Sequence, residues 1–336
     1  MTLCHCANCR WTTGMLCASY LLLESAPNLD GLVEYVEFTT ASRWFCGTCG
    51  AHVFLQIRED HENEGRFMVA RGTIADAELQ TESIEHLCLE STTDGSLFGS
   101  SASVSNAPQS GTSNACFTGV TLTATSRRPG DSVSKDSPQQ TNPPTRNLPA
   151  SCHCTGVQII ITPPDHTSRL PSSPWSDTLV PFHSSPNASA NPADVKWWLR
   201  DNDKKYLSNL CGCDSCRLAS GFPIQSWVFV PRSNIFKASD SSSLAYNDLG
   251  TLKRYNSSPG VYREFCSACG ATVFWHCEER PGVVDVSVGL LRAESGVRAE
   301  DWLDWELGRV SFEEMAVDRG MIRCLKKCLN HGVGYN

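Results

Sequence analysis

The feature that most constrains this chain is a set of cysteine motifs that occurs twice in the same order. Cys4-His-Cys6-Ala-Asn-Cys9-Arg10, followed by Gly14, matches Cys211-Gly-Cys213-Asp-Ser-Cys216-Arg217, followed by Gly221, at constant offset. Further on, Trp44-Phe-Cys46-Gly-Thr-Cys49-Gly50-Ala-His-Val-Phe54 parallels Glu264-Phe-Cys266-Ser-Ala-Cys269-Gly270-Ala-Thr-Val-Phe274. A third echo pairs Phe67-Met-Val-Ala-Arg-Gly72 with Val284-Asp-Val-Ser-Val-Gly289. Each of these is an apolar, β-branched run that reads as a strand. The chain is therefore an internal repeat, and its 336 residues divide into two domains, since single cores stop growing at about 250 to 300 residues.

Composition locates the boundary. Residues 91–150 are dominated by Ser, Thr, Gly, Pro, Asn and Gln, which bury too little apolar area to offset chain entropy, so a disordered, protease-sensitive linker is expected there. The plan is a first domain over 1–90, the linker, a second domain over 151–320 with a surface insertion near 163–191, and a C-terminal tail over 321–336. The ordered segments are short and β-like, among them Tyr20 to Leu23, Val53 to Ile57, Val157 to Thr162, Trp227 to Val230 and Val283 to Leu291. Helical periodicity is confined to Val195 to Tyr206 and Phe312 to Leu329. The expected fold class is mainly β.

Charge excludes some functions. A formal net charge of -8 repels nucleic acid, whose binding needs a basic patch. No window approaches the roughly 20 apolar residues of a membrane helix. The opening MTLCHCANCR has neither a basic n-region nor an apolar h-region. A cytoplasmic location is expected, with no membrane association. In a reducing compartment, clustered members of the 18 cysteines are metal ligands before they are disulfides.

In the second domain the cysteines form a CxC (Cys152, Cys154), a CxCxxC (Cys211, Cys213, Cys216) and a CxxC (Cys266, Cys269). Seven thiols are one short of two closed tetrahedra. They suit one structural zinc with four ligands and one catalytic zinc with three and an open fourth position. Spacing alone does not say which pairs close the tetrahedron. The order CxC, CxCxxC-Arg with a nearby Gly, then FCxxCG resembles the glutathione-dependent formaldehyde-activating enzyme family, also called the Gfa or centromere protein V family. The resemblance implies an Mss4-like, mostly β fold in each repeat. It further implies a structural zinc on Cys152, Cys154, Cys266 and Cys269 and a catalytic zinc on Cys211, Cys213 and Cys216. The first domain opens at its CxCxxC, so Cys4, Cys6 and Cys9 are matched while Cys46 and Cys49 keep only half of a structural site. One zinc or none is expected there, with the first domain the weaker or inactive partner.

The resemblance implies that zinc holds the thiol of glutathione, or a similar small thiol, and joins it to formaldehyde or another small aldehyde, which makes the protein a carbon-sulfur lyase in the reverse direction. Arg10 and Arg217 follow the clusters, where a guanidinium can meet a substrate carboxylate; Arg217 is the candidate cosubstrate-binding residue, against the ordinary alternative of a solvated charge. His5 and His153 read as spacers between cysteines. Cys17, Cys88, Cys116 and Cys277 read as isolated core or free thiols, and Cys324 with Cys328 as neighbours on one helical face. The competing function is a non-catalytic, zinc-stabilised binding module of the same fold.

Overall fold

The computed structural model describes residues 1–58, 65–75, 81–98, 147–176 and 188–332. Most of the expected linker, including Cys116, lies outside them. The first repeat comprises β1 (Thr2–Cys4), α1 (Ala7–Thr13), β2 (Tyr20–Leu22), β3 (Leu32–Phe38), β4 (Ala41–Cys46), β5 (His52–Ile57), β6 (Arg66–Ala70) and β7 (Glu85–Leu87). The second comprises β8 (Leu148–Ser151), β9 (Gln158–Ile161), β10 (Leu199–Arg200), β11 (Lys205–Cys211), α2 (Asp214–Ser220), β12 (Gln225–Pro231), β13 (Ile235–Lys237), β14 (Leu252–Ser258), β15 (Val261–Cys266), β16 (Thr272–Cys277), β17 (Val283–Ser287), β18 (Leu303–Trp305) and α3 (Arg319–Gly332). The fold is mainly β.

The two repeats are built alike. The sheet β2-β6-β5-β4-β3 is matched by β12-β17-β16-β15-β14 within a larger sheet. The registers agree residue for residue: Tyr20 faces Ala70 as Trp227 faces Ser287, and Trp44 faces Phe54 as Glu264 faces Phe274. Even the irregularities recur, at Val36/Phe38 and Asn256/Ser258. The central strands β12 and β17 are buried at every position, the end strands β3 and β14 are partly exposed, and the bulges fall at matching places in the two sheets.

Val195 to Tyr206, where helical periodicity was expected, forms β10, a turn and the start of β11. Asp201, Asn202 and Asp203 all have positive φ (51°, 53° and 61°), a left-handed path that short polar side chains tolerate and a helix interior does not. Trp197 and Trp198 are buried packing residues. Residues 89–98 form two short 3-10 turns with Leu97 buried. Residues 321–332, given to a C-terminal tail, form most of α3, which overlaps the helical periodicity expected over Phe312 to Leu329, and they pack against the first repeat. Asp318, just before that helix, accepts hydrogen bonds from the Thr81 amide (3.0 Å) and Arg71 (3.1 Å). Among the described residues no helix is long and apolar enough to cross a membrane.

The repeats dock on each other through reciprocal contacts. The Gly289 amide donates to the Gly14 carbonyl (3.1 Å), and the Gly72 amide donates to the Gly221 carbonyl (2.9 Å). Phe45 lies against Gly270 as Phe265 lies against Gly50. In each case the partners exchange places under the repeat alignment, which describes an approximate two-fold axis between the halves, the isologous arrangement of a homodimer within one chain. Gly221 closes α2 at φ 85°, and a Cβ there would lie 2.0 Å from the His52 carbonyl oxygen. Gly31 has a similar φ of 78° with nothing within 4 Å. Gly31→Ala is therefore expected to cost only the left-handed penalty, about 1 to 2 kcal/mol, and Gly221→Ala about 3 kcal/mol or more, because close packing adds to it. Equal losses in denaturant unfolding would contradict this interface.

Candidate metal centres

The CxCxxC motifs converge by local geometry. β11 delivers Cys211, Cys213 caps the N-terminus of α2, and Cys216 sits in its first turn, where its amide donates to the Cys213 sulfur at 3.2 Å. The first repeat reproduces this, with the Cys9 amide donating to the Cys6 sulfur at 3.4 Å. A strand end and a capped helix turn bring three sulfurs to one side, and in both triplets the sulfurs lie within 4.8 Å of one another. The spacing thus predicts the cluster because every step in it is local.

The four-thiol group is assembled over a longer range. Cys152 and Cys154 stand on the turn after β8, and Cys266 and Cys269 on the turn after β15; all four sulfurs lie within 4.8 Å. Cys154 is 3.5 Å from Cys152 and 3.4 Å from Cys266. The Val157 and Gly156 amides donate to Cys152 and Cys154 at 3.4 Å each, and the Thr251 hydroxyl meets Cys266 at 2.9 Å. Four soft donors with N–H and O–H groups turned toward them suit a tetrahedral zinc. Cys46 and Cys49 belong to no group of three ligand atoms among the described residues. His153 meets the Tyr35 hydroxyl at 2.6 Å and His5 meets His86 at 3.0 Å, and neither histidine joins a ligand group.

The second triplet opens on a cavity of about 620 Å³ lined by Cys211, Cys213, Cys216, Trp227, Arg263 and Trp275. Ser257, Phe312 and Met315 are also part of its wall, and the 163–191 insertion contributes Trp175. Arg263 is buried, with its guanidinium 2.8 Å from the Ser215 hydroxyl and 3.7 Å from the Cys216 sulfur. Hydrogen bonds from the Cys211 and Cys213 thiols hold Cys216 well below the ordinary thiol range, and the Arg263 charge adds to this.

In the first repeat two of the equivalent positions are occupied differently. Tyr20 replaces Trp227 and Glu37 replaces Ser257, while Arg43 keeps the arginine of position 263. Arg43 donates to Glu37 (2.8 Å), to the Tyr20 hydroxyl (2.7 Å) and to the Cys9 sulfur (3.3 Å), and the Thr12 hydroxyl donates to Glu37 (3.0 Å). Both side chains of the Arg43–Glu37 pair are fully buried. A closed ion-pair network lies where the second repeat has Ser257 and open space.

Arg217, expected to meet a substrate carboxylate, instead donates to the Gly72 carbonyl across the repeat interface (2.5 Å) and pairs with Asp214 (3.0 Å); it is not among the cavity-lining residues. Arg10 is buried and donates to the His5 carbonyl at 3.2 Å. The cation beside the open cluster is Arg263, which sequence reasoning missed. Its signal was present, since Arg43 and Arg263 each stand three residues before the CxxC in both repeats.

A family model described as glutathione-dependent formaldehyde-activating enzyme matches residues 1–90 and 195–304, more than half of the chain. No curated protein and no solved structure matches.

The two second-repeat clusters should respond differently to ligand loss. Cys266→Ser removes a sulfur that ties β15 to the turn after β8, so loss of cooperative unfolding and of about one metal per chain is expected. Cys213→Ser should keep the fold, with a melting midpoint within a few degrees of the parent. Calorimetry with metal analysis distinguishes them, and equal loss of fold would refute the division into a structural and an open site.

Proposed function

Because the chain belongs to the glutathione-dependent formaldehyde-activating enzyme family, we propose that its second repeat joins a thiol of the glutathione class to formaldehyde or another small aldehyde at Cys211, Cys213 and Cys216. The observation that carries this reading is that these three clustered sulfurs face a cavity large enough for a tripeptide-sized thiol, whereas the other four sulfurs of the repeat surround one another. Zinc held by three thiolates would keep a fourth position for an incoming soft ligand and favour its ionised form. The proposal thus assigns two zinc ions to the second repeat.

The chain's own residues then have separable tasks. Arg263 offsets part of the negative charge of three thiolates and a fourth sulfur. Trp227, Trp275 and Phe312 exclude water around the reacting carbon, which limits competing hydration of the aldehyde. Glu278 and Glu279 line the same cavity and are exposed, a placement suited to the ammonium group of a γ-glutamyl thiol. Trp175, brought in by the insertion, lines the cavity and is a candidate for substrate selection. In the forward step the thiol sulfur bonds to the carbonyl carbon, and the carbonyl oxygen takes up the proton the thiol gives up. The product is an S-hydroxymethyl adduct, and the reverse step is a carbon-sulfur lyase reaction.

The test is exchange spectroscopy of glutathione with carbon-13 formaldehyde, read as adduct formation above the uncatalysed rate. The parent should accelerate exchange, Cys213→Ser should fall to background, and Trp175→Ala should raise KM several-fold with a smaller change in kcat. A folded, zinc-loaded parent that leaves the rate at background would favour the non-catalytic binding module instead.

A further inference from the structure

The two triplets differ at one further position. β1 runs parallel to β7, pairing Cys4 with Leu87, and the residue after Leu87 is Cys88. In the second repeat Cys211 forms a parallel bridge with Ser311, and the residue after Ser311 is Phe312. The correspondence continues in the backbone. The His5 amide donates to Leu87 (3.0 Å) as the Gly212 amide donates to Ser311 (2.8 Å). Cys88 has φ 59° and Phe312 has φ 54°, and each precedes a short 3-10 turn. The Ser91 amide donates back to the Cys88 carbonyl (3.2 Å), and the Met315 amide to that of Phe312 (3.0 Å). A left-handed, non-glycine residue at the same place in both repeats is a specific structural equivalence.

The side chain at this position meets the cluster in both cases. Phe312 lines the cavity beside Cys211, Cys213 and Cys216. Cys88 is buried in one core cluster with Cys4, Cys6 and Cys9. Strand pairing brings Cys88 next to Cys4, while the sulfurs that already lie within 4.8 Å of one another are those of Cys4, Cys6 and Cys9, so the Cys88 side chain has to turn inward to join them. The first repeat thus offers four buried sulfurs where the second offers three and a phenyl ring.

We propose that Cys4, Cys6, Cys9 and Cys88 form a closed four-thiolate metal centre of structural type, and that Phe312 at the Cys88 position is what leaves the second-repeat centre open. Four thiolates complete a tetrahedron and leave no place for a substrate sulfur. The buried Arg43–Glu37–Tyr20 network beside Cys9 fits a site that admits nothing from solvent. Three metals per chain follow, two in four-thiolate and one in three-thiolate surroundings. This holds whether or not the second repeat is a catalyst.

The test is cadmium-113 NMR of the full chain after zinc replacement, since the shift reports how many sulfurs surround the metal. Two four-thiolate resonances and one of lower sulfur number are expected in the parent, only the last moving when glutathione is added. Cys88→Ser should move one four-thiolate resonance to the lower class while the other stays. Phe312→Cys should move the remaining resonance up and abolish its response to glutathione. A parent spectrum with a single four-thiolate resonance overturns the proposal, as does a folded Cys88→Ser protein with an unchanged spectrum. If Cys88→Ser does not fold, the number of four-thiolate resonances in the parent decides.

Discussion

Gathering three or four sulfurs into a buried space with centres within 4.8 Å of one another is a demanding arrangement for a fold. As thiolates they repel one another in a medium where charge is poorly screened, and as thiols they make only weak hydrogen bonds. A divalent cation turns repulsion into coordination, and the other features of these sites follow from that. Backbone amides point at the sulfurs, and an arginine lies beside each CxCxxC triplet. In the second repeat the four-thiol group joins the turn after β8 to the turn after β15, so metal binding and closure of that part of the core are one event.

The approximate two-fold relation between repeats shows how one scaffold carries two different sites. Registers, bulges and helix caps agree, so the backbone around each triplet is the same. Side chains make the difference, among them Glu37 for Ser257, Tyr20 for Trp227, Leu55 for Trp275 and Cys88 for Phe312. Glu37 gives Arg43 a fully buried partner, which fills the space beside Cys9. Without that carboxylate, Arg263 keeps its place beside the cluster sulfur and donates to Ser215, and the cavity remains. Reciprocal docking places each repeat's helix cap against the other's sheet, so the first repeat also serves as a wall for the second. The insertion around Trp175 and the helix α3 add to the second site and to the interface without disturbing the shared core.

Much of this was legible in the residues. The mainly β class followed from short β-branched runs. The triplets Cys4/Cys6/Cys9 and Cys211/Cys213/Cys216 followed from spacing, because a strand end, a cap and one helix turn are all set within six residues. Arg217 shows the opposite case. Its neighbourhood in sequence suggested a substrate role, yet its guanidinium reaches Gly72 in the other repeat, a contact that no pattern around residue 217 encodes. Val195 to Tyr206 had a helical spacing of apolar residues, but the Asp-Asn-Asp turn and the burial of both tryptophans in a sheet-edged core overrode it.

By itself, then, the sequence determined that the chain is a repeat, that its sulfurs gather in clusters, and that one repeat has seven of them in three groups. Those are consequences of local geometry and of identity between segments. Only the tertiary structure decided which repeat keeps an open cavity, which arginine stands beside the open sulfurs, and that Cys88 returns to Cys4. Each of these depends on strand pairing between residues far apart in the chain and on docking of one repeat against the other. Such contacts are selected by the burial of whole sheet faces, a property that no single motif carries.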